Sequence, residues 1–238
     1  MAYYYQDISY ILGSILLLLF LVGEMLHFRH LPKGGPLLLG LTLLLSTAGL
    51  SDLIFRSNPN PTIILFADSL NVFCFTFALA IILNYSLVYF SKNPLWSEKK
   101  AYLVLYIPAL IISALHALSP MMIKGVLWGP ISYQLNYNPG YWIIVAYGIS
   151  FAFLSILFSL SAARKIQSPS EKNQSLLLVC VLILLTYFYN SSLILPFLFK
   201  TVNFASPLPT TFAILLLVYG YIEYNYFSLE KVEEEASQ

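Results

Sequence analysis

The chain has 238 residues, 59% of them hydrophobic and only 10% charged. That balance belongs to membrane proteins, and it leaves no polar stretch long enough to bury a separate soluble core. A formal net charge of +1 gives no electrostatic basis for a nucleic-acid partner.

Seven apolar segments follow one another: Ile8–His27, Pro36–Phe55, Thr62–Phe90, Ala101–Leu118, Gly140–Ala163, Gln174–Phe199 and Leu208–Phe227. A helix needs about 20 apolar residues to cross a bilayer, and open strands cannot cross lipid, so each segment is expected to be a transmembrane helix. Turn-rich separators stand between them, among them HLPKGG, RSNPNP and SKNPLWSEKK. The expected fold is therefore an all-α membrane protein, a seven-transmembrane helix bundle in one domain, residues 1–227. Residues 228–238 form a short cytoplasmic tail or the start of a signalling stalk. The N-terminus has no basic stretch followed by a small-residue cleavage site, so no removable signal peptide is expected. Cys74 and Cys180 fall in different spans at different depths, which disfavours a disulfide.

Basic residues set the orientation. With the N-terminus outside, the inner segments hold Arg29, Lys33, Lys92, Lys99, Lys100, Arg164, Lys165, Lys172 and Lys231, and the outer ones only Arg56, Lys124 and Lys200. The cell membrane, crossed several times with the C-terminus in the cytoplasm, is the expected location. The longest connection, from Ser119 to Pro139, lies outside on this topology and is rich in aromatics, Pro and Gly. It reads either as a lid on the bundle or as a linker lying on the membrane surface. Pro108 and Pro196 are expected to kink their helices.

Polar residues within the spans gather in the outer half. The third span carries Asp68, its only ionisable group, and Asn71 three residues on, hence on the same helical face. A carboxylate in hydrocarbon is costly unless it faces the bundle interior, which makes Asp68 a functional candidate. Asp52 and His116 sit near outer helix ends, where water can solvate each. Asn190, Ser191 and Ser192 precede Pro196, and Thr210 and Thr211 open the last span. If these groups converge they form a polar pocket for a small ligand reached from outside; the bland alternative is a set of interhelical hydrogen bonds. In the inner half, spans five and six are mostly Leu, Ile, Phe and Ser.

Glu24, His27 and His30 read E-x-x-H-x-x-H, but each three-residue step turns the next ligand about 60° round the helix, so no metal site is expected. His116 lies at the other face, so three histidines cannot assemble. The sequons at Asn84 and Asn190 lie inside spans and that at Asn173 faces inward, so glycosylation is not implied. The chain has no G-x-S-x-G, no H-E-x-x-H and no phosphate-cradling glycine loop. The last span has no lysine for a retinal Schiff base. A non-enzyme without a cofactor is expected.

Two stretches carry a family resemblance: YNPGYWIIVAYGISFAFLSILFSLSAARKIQSPSEKNQSLLLV and SPLPTTFAILLLVYGYIEYNYFSLEKV. The first resembles the middle of the seven-transmembrane N-terminal sensor region of bacterial and archaeal histidine kinases, with Pro-Gly at the mouth of span five, an aromatic-Gly step and a short basic-Ser loop. The second is similar to that family's span seven, from a Pro/Thr outer turn to a tyrosine-rich exit. The resemblance implies a sensor that relays a ligand-induced change through helix seven to a cytoplasmic effector, in cis or in trans. Tyr219, Glu223, Tyr224 and Tyr226 stand at that exit. Such an effector usually follows in the family, whereas the sequence stops at EKVEEEASQ. Leu229 and Val232 share a face in this tail, which would pair two subunits of a homodimer if the helix continued.

Two other readings stand beside the sensor. A small transporter or permease would show polar groups through both halves, broken helices and internal repeats. A purely structural assembly subunit would need only the packed bundle.

Overall fold

In the computed structural model the described residues are 35–57, 60–87, 100, 102–119, 121–128 and 133–165, with Lys172, Leu176, Val179, Cys180 and Ile183 as single helical positions. Four helical segments and one hairpin occupy the continuous part. Helix α1 is Gly35–Ser57 and α2 is Pro61–Tyr85. A π-helical turn, Tyr102–Tyr106, leads directly into α3, Ile107–Leu118. Strands β1, Ile123–Trp128, and β2, Tyr133–Tyr137, form an antiparallel pair. A 3-10 turn, Pro139–Tyr141, then opens α4, Trp142–Lys165. These helices match the second to fifth predicted spans to within a few residues. The first and seventh spans, nearly all of the sixth, Pro196, and the Glu24, His27 and His30 run lie outside the described residues.

Local sequence explains the helix ends. Asn60 caps α2: its side-chain oxygen accepts the Thr62 backbone N–H at 2.9 Å, and Pro61 sits where a missing N–H costs nothing. At Pro108 the sequence predicts a kink, and the structure has the widened turn Tyr102–Tyr106 just before it. Proline cannot donate to the carbonyl four residues back and its ring crowds that carbonyl, so a π turn relieves the clash without breaking the helix.

The connection after α3 has a regular structure that the sequence reading did not assign to it. It is a β-hairpin, an element the all-α fold class did not include. The register runs Ile123↔Tyr137, Gly125↔Asn136, Val126↔Leu135, with a bulge between Ile123 and Gly125. Gly125 has φ +152°, a value that side-chain-bearing residues rarely adopt, so the bulge falls where glycine tolerates it. The base of the hairpin is closed by Asn138 N–H donating to the Met122 carbonyl at 2.9 Å.

Helix α2 is the axis of the bundle: α1, α3, α4 and β1 all pack on it. Its pairings fix the helix directions. Asp68, Thr76 and Asn84 face His116, Ser113 and Tyr106 of the antiparallel neighbour. Thr76 and Ser86 meet Tyr147 and Ser159 of α4, which therefore runs parallel to α2. One cluster joins Val72, Leu79 and Leu83 to Leu105, Ala109, Ile112, Tyr141, Ile144 and Val145; a second joins Leu41 and Leu45 to Ala78, Ile81 and Ile82.

The burial pattern is turned partly inside out. Phe66, Leu103, Ile111, Ile149 and Phe153 are exposed, whereas Ser51, Asp68, Thr76, Asn84, Ser86, Ser113, His116, Ser155 and Ser159 are buried. Among the described residues, two helical stretches, Pro61–Tyr85 and Pro139–Ser161, are long and apolar enough to cross a membrane.

Candidate functional site

The buried hydroxyls show how polar groups are accommodated in such a bundle. Ser113 and Ser155 donate back to the carbonyls of Ala109 and Phe151, each at 2.7 Å, one turn earlier in their own helices. Ser51 donates across to the Ala67 carbonyl, tying α1 to α2. These bonds satisfy donors that lipid or a dry core would leave stranded.

Asp68 is different in kind. It lies on α2, 4% exposed, and its Oδ2 is 2.7 Å from Nε2 of His116 on α3, which is 3% exposed. The sequence suggested that water would solvate His116 at its helix end. The structure corrects that: the imidazole is enclosed and faces the carboxylate. The hairpin explains the difference, because it places Met122 and Tyr141, both buried, over the helix end that a bare loop would have left open. The rings of His116 and Tyr141 are 6.0 Å apart, and Tyr141 stacks on Tyr137 of β2 at 4.2 Å. A continuous side-chain column thus runs from the hairpin through Tyr137, Tyr141 and His116 to Asp68.

A carboxylate oxygen accepts, so Nε2 of His116 carries the proton in this bond. The other ring nitrogen, Nδ1, is enclosed and has no hydrogen-bond partner, and the same holds for Oδ1 of Asn71. Buried polar atoms normally find partners, and an unmet one calls for a ligand, a water or an explanation.

Of the other sequence-predicted site residues, Asp52 lies in α1 beside Ser51, with its side chain outside the description. Asn190, Ser191, Thr210 and Thr211, and the exit residues Tyr219, Glu223, Tyr224 and Tyr226, lie outside the described residues. Of the ligand candidates, the structure joins Asp68 to His116, with Asn71 on the same helix one turn away. Tyr141 was not singled out from the sequence; its place after Asn138-Pro139-Gly140 at the mouth of a span was the available signal.

Polar groups also meet at the other end of the described bundle. Asn84 donates to the Tyr106 hydroxyl at 3.0 Å, and the hydroxyls of Ser86 and Ser159 are 2.8 Å apart, both toward the end of the bundle away from the hairpin. Thr76 and Ser113 meet at 2.8 Å between the two ends. Among the described residues no three His, Cys, Asp or Glu side chains group as a metal site.

No protein-family model matches the chain, and no curated protein matches it.

Proposed function

We propose that the chain is a membrane-embedded sensory domain whose ligand binds in the half of the bundle beneath the hairpin. The observation that carries this reading is the enclosed Asp68–His116 pair, with Nδ1 of His116 and Oδ1 of Asn71 left without protein partners beside it. Asn84 Oδ1, in the neutral Asn84–Tyr106 pair, is also without a partner, so it is the unmet ring nitrogen of an ionisable pair, and not an amide oxygen, that points to a ligand. In this reading seven helices cross the cell membrane, with the N-terminus outside. Asp52, Asn190, Ser191, Thr210 and Thr211 complete the pocket. Helix seven, through Tyr219, Glu223, Tyr224 and Tyr226, relays the change to a cytoplasmic effector, as in the sensor regions of histidine kinases. Exposed apolar side chains around a polar interior support the lipid environment. The exposed cations Lys100, Arg164 and Lys165 stand at the end away from the hairpin and Lys124 on the hairpin, which supports the orientation.

A second reading, a small transporter, draws support from Asn84–Tyr106 and Ser86–Ser159, because a permeation path needs polarity in both halves. Asp68→Asn separates the roles. In a sensor it abolishes ligand-dependent stabilisation in a thermal-shift screen of the purified protein, with no substrate flux in vesicles of the unaltered chain. Asp68-dependent flux would establish the transporter. Orientation is checked by cysteines at Ser97 and Ser132 in whole cells: an impermeant reagent labels position 132 and spares position 97. The opposite result overturns the topology.

A further inference from the structure

We infer that the hairpin is a strap, latched at its base, whose closure keeps water from the Asp68–His116 pair. This closure governs access to the pair with or without a ligand. The hairpin bridges two helices: it leaves the end of α3 and re-enters the bundle at the first turn of α4. His116 lies in the last turn of α3, so a movement at the base of this bridge takes place beside the imidazole.

The base is where the chain is held most closely. The Met122 N–H donates to the Ser119 carbonyl at 3.3 Å, the Asn138 N–H to the Met122 carbonyl at 2.9 Å, and the Tyr141 N–H to the Asn138 carbonyl at 3.0 Å. These three bonds tie the end of α3, both strands and the start of α4 in series. Gly140 lies against the Met121 backbone: a Cβ there would stand 2.6 Å from the Met121 carbonyl oxygen, a spacing that only glycine permits. Two side chains reach inward from this base. Met122 is 2% exposed and Tyr141 is fully buried, both in the cluster that holds Val72 and Ile112. Met121 turns the other way and is 66% exposed. Tyr137 packs against the same cluster and stacks on Tyr141, whose ring stands beside His116. Beyond the base the arm is sparsely held: Lys124 is exposed, and a Cβ on Gly125 would meet nothing within 4 Å. A loosely held arm on a firm latch lifts as a unit when the latch yields, and such local opening costs less than unfolding the bundle.

The two adjacent methionines provide a native readout. Peroxide oxidises a thioether according to its access to solvent, so site-resolved mass spectrometry of the full chain in detergent compares Met122 beneath the strap with Met121 outside it. Modification of His116 by diethyl pyrocarbonate, at one fixed pH, reports whether the pair is uncovered at the same time. In the unaltered protein Met122 and His116 are expected to react at least about tenfold slower than in the chain unfolded in dodecyl sulfate and urea. Gly140→Ala forces the latch, and Tyr137→Ser removes the ring stacked on Tyr141. Each is expected to raise both rates by about tenfold, with Met121 unchanged. Tyr137→Ser keeps the test decisive should Gly140→Ala fail to fold. Gly40→Ala, whose Cβ would meet only Ile81, is expected to leave both rates as they are. Alkylation of Cys74, buried between α1 and α2, distinguishes a lifted strap from a loosened bundle. Met122 or His116 reacting in the unaltered protein as fast as in the unfolded chain overturns the strap. So do rates that stay unchanged in the variants that fold, or that rise only in step with Cys74. A rise at Met122 without one at His116 overturns the link between strap and pair.

Discussion

The two ends of the described bundle solve the same problem with different chemistry. Away from the hairpin, Asn84 and Tyr106, and Ser86 and Ser159, pair as neutral groups. Beneath the hairpin, Asp68 and His116 pair a carboxylate with an imidazole. Each end also holds an amide oxygen without a partner, Asn84 Oδ1 at one and Asn71 Oδ1 at the other. An unmatched amide oxygen alone therefore does not distinguish the ends. What distinguishes the hairpin end is the ionisable pair with a ring nitrogen left over. Neutral pairs hold helices together at small cost; an enclosed carboxylate is expensive to keep, and removing its partner strands a buried polar group.

The largest expected effect follows from that asymmetry. Asp68→Ala leaves the His116 ring enclosed without its partner, and the loss of stability is expected at about 3 kcal/mol, the upper end of the cost of stranding a buried polar group. Asn84→Ala at the other end removes one neutral hydrogen bond, for which about 1 kcal/mol is the expected cost beyond lost packing. Equilibrium unfolding in mixed micelles compares the two, and equal losses would erase the distinction between the ends. The double substitution Asp68→Leu with His116→Leu sharpens it. Replacing both members by apolar groups is expected to cost little. A protein that stays folded yet no longer responds to any compound would separate the pair's role in binding from its role in folding.

A contrast of intermediate size concerns two glycines. A Cβ on Gly140 would stand 2.6 Å from the Met121 carbonyl oxygen, a backbone atom held where the hairpin returns to α4. A Cβ on Gly40 would meet only the Cδ1 of Ile81, at 3.5 Å, which is ordinary contact. Gly140→Ala is therefore expected to destabilise by about 1–3 kcal/mol, with Gly40→Ala near neutral. The same unfolding measurement decides it. A tolerated Gly140→Ala would mean that the hairpin is free to shift over Tyr141.

These contrasts also mark what the amino-acid pattern could disclose. Helices α1 to α4 were legible because length and hydropathy decide them: lipid-compatible backbone must be helical, and RSNPNP and the Pro-Gly pair mark where it turns. Asp68 was legible for the same reason, as a lone carboxylate in an apolar run. Its partner was not. His116 lies near a helix end, and only the hairpin converts that end from a wet position to an enclosed one. The hairpin had its own signs: Val126, Leu127 and Trp128, then Gly129-Pro130, then Tyr133, Leu135 and Tyr137 in alternation. Those signs lose force when every apolar run is read as a span. The polar pairs of the far end were hidden because Ser86 and Ser159 are small residues common in helix interfaces, and nothing in their spacing shows that they meet. Tyr106 gave no sign either, since its hydroxyl acquires meaning only opposite Asn84.

The smallest expected effect lies in the serine pair, and it is set by counting protons. Ser86 has one hydroxyl hydrogen, which goes to the Ile82 carbonyl 2.9 Å away in its own helix. The Ser159 hydroxyl must then donate to Ser86 Oγ across the 2.8 Å that separates them. At Thr76 and Ser113 three contacts compete for two hydrogens: Thr76 to the Phe73 carbonyl at 3.0 Å, Ser113 to the Ala109 carbonyl at 2.7 Å, and the two hydroxyls at 2.8 Å. Ser113 keeps the shortest bond, and Thr76 gives its proton to Ser113 rather than to Phe73. With the Ser86 proton on Ile82, the bond across this pair is the one Ser159 donates, and a double-mutant cycle with Ser86→Ala and Ser159→Ala is expected to return a coupling of about 0.6 kcal/mol. Ser159→Ala alone carries nearly the whole of it, because Ser86 keeps its own bond to Ile82 either way. A coupling several times larger would place a second energetic centre at the end of the bundle opposite Asp68, and would favour polarity that serves a path through both halves over a site in one.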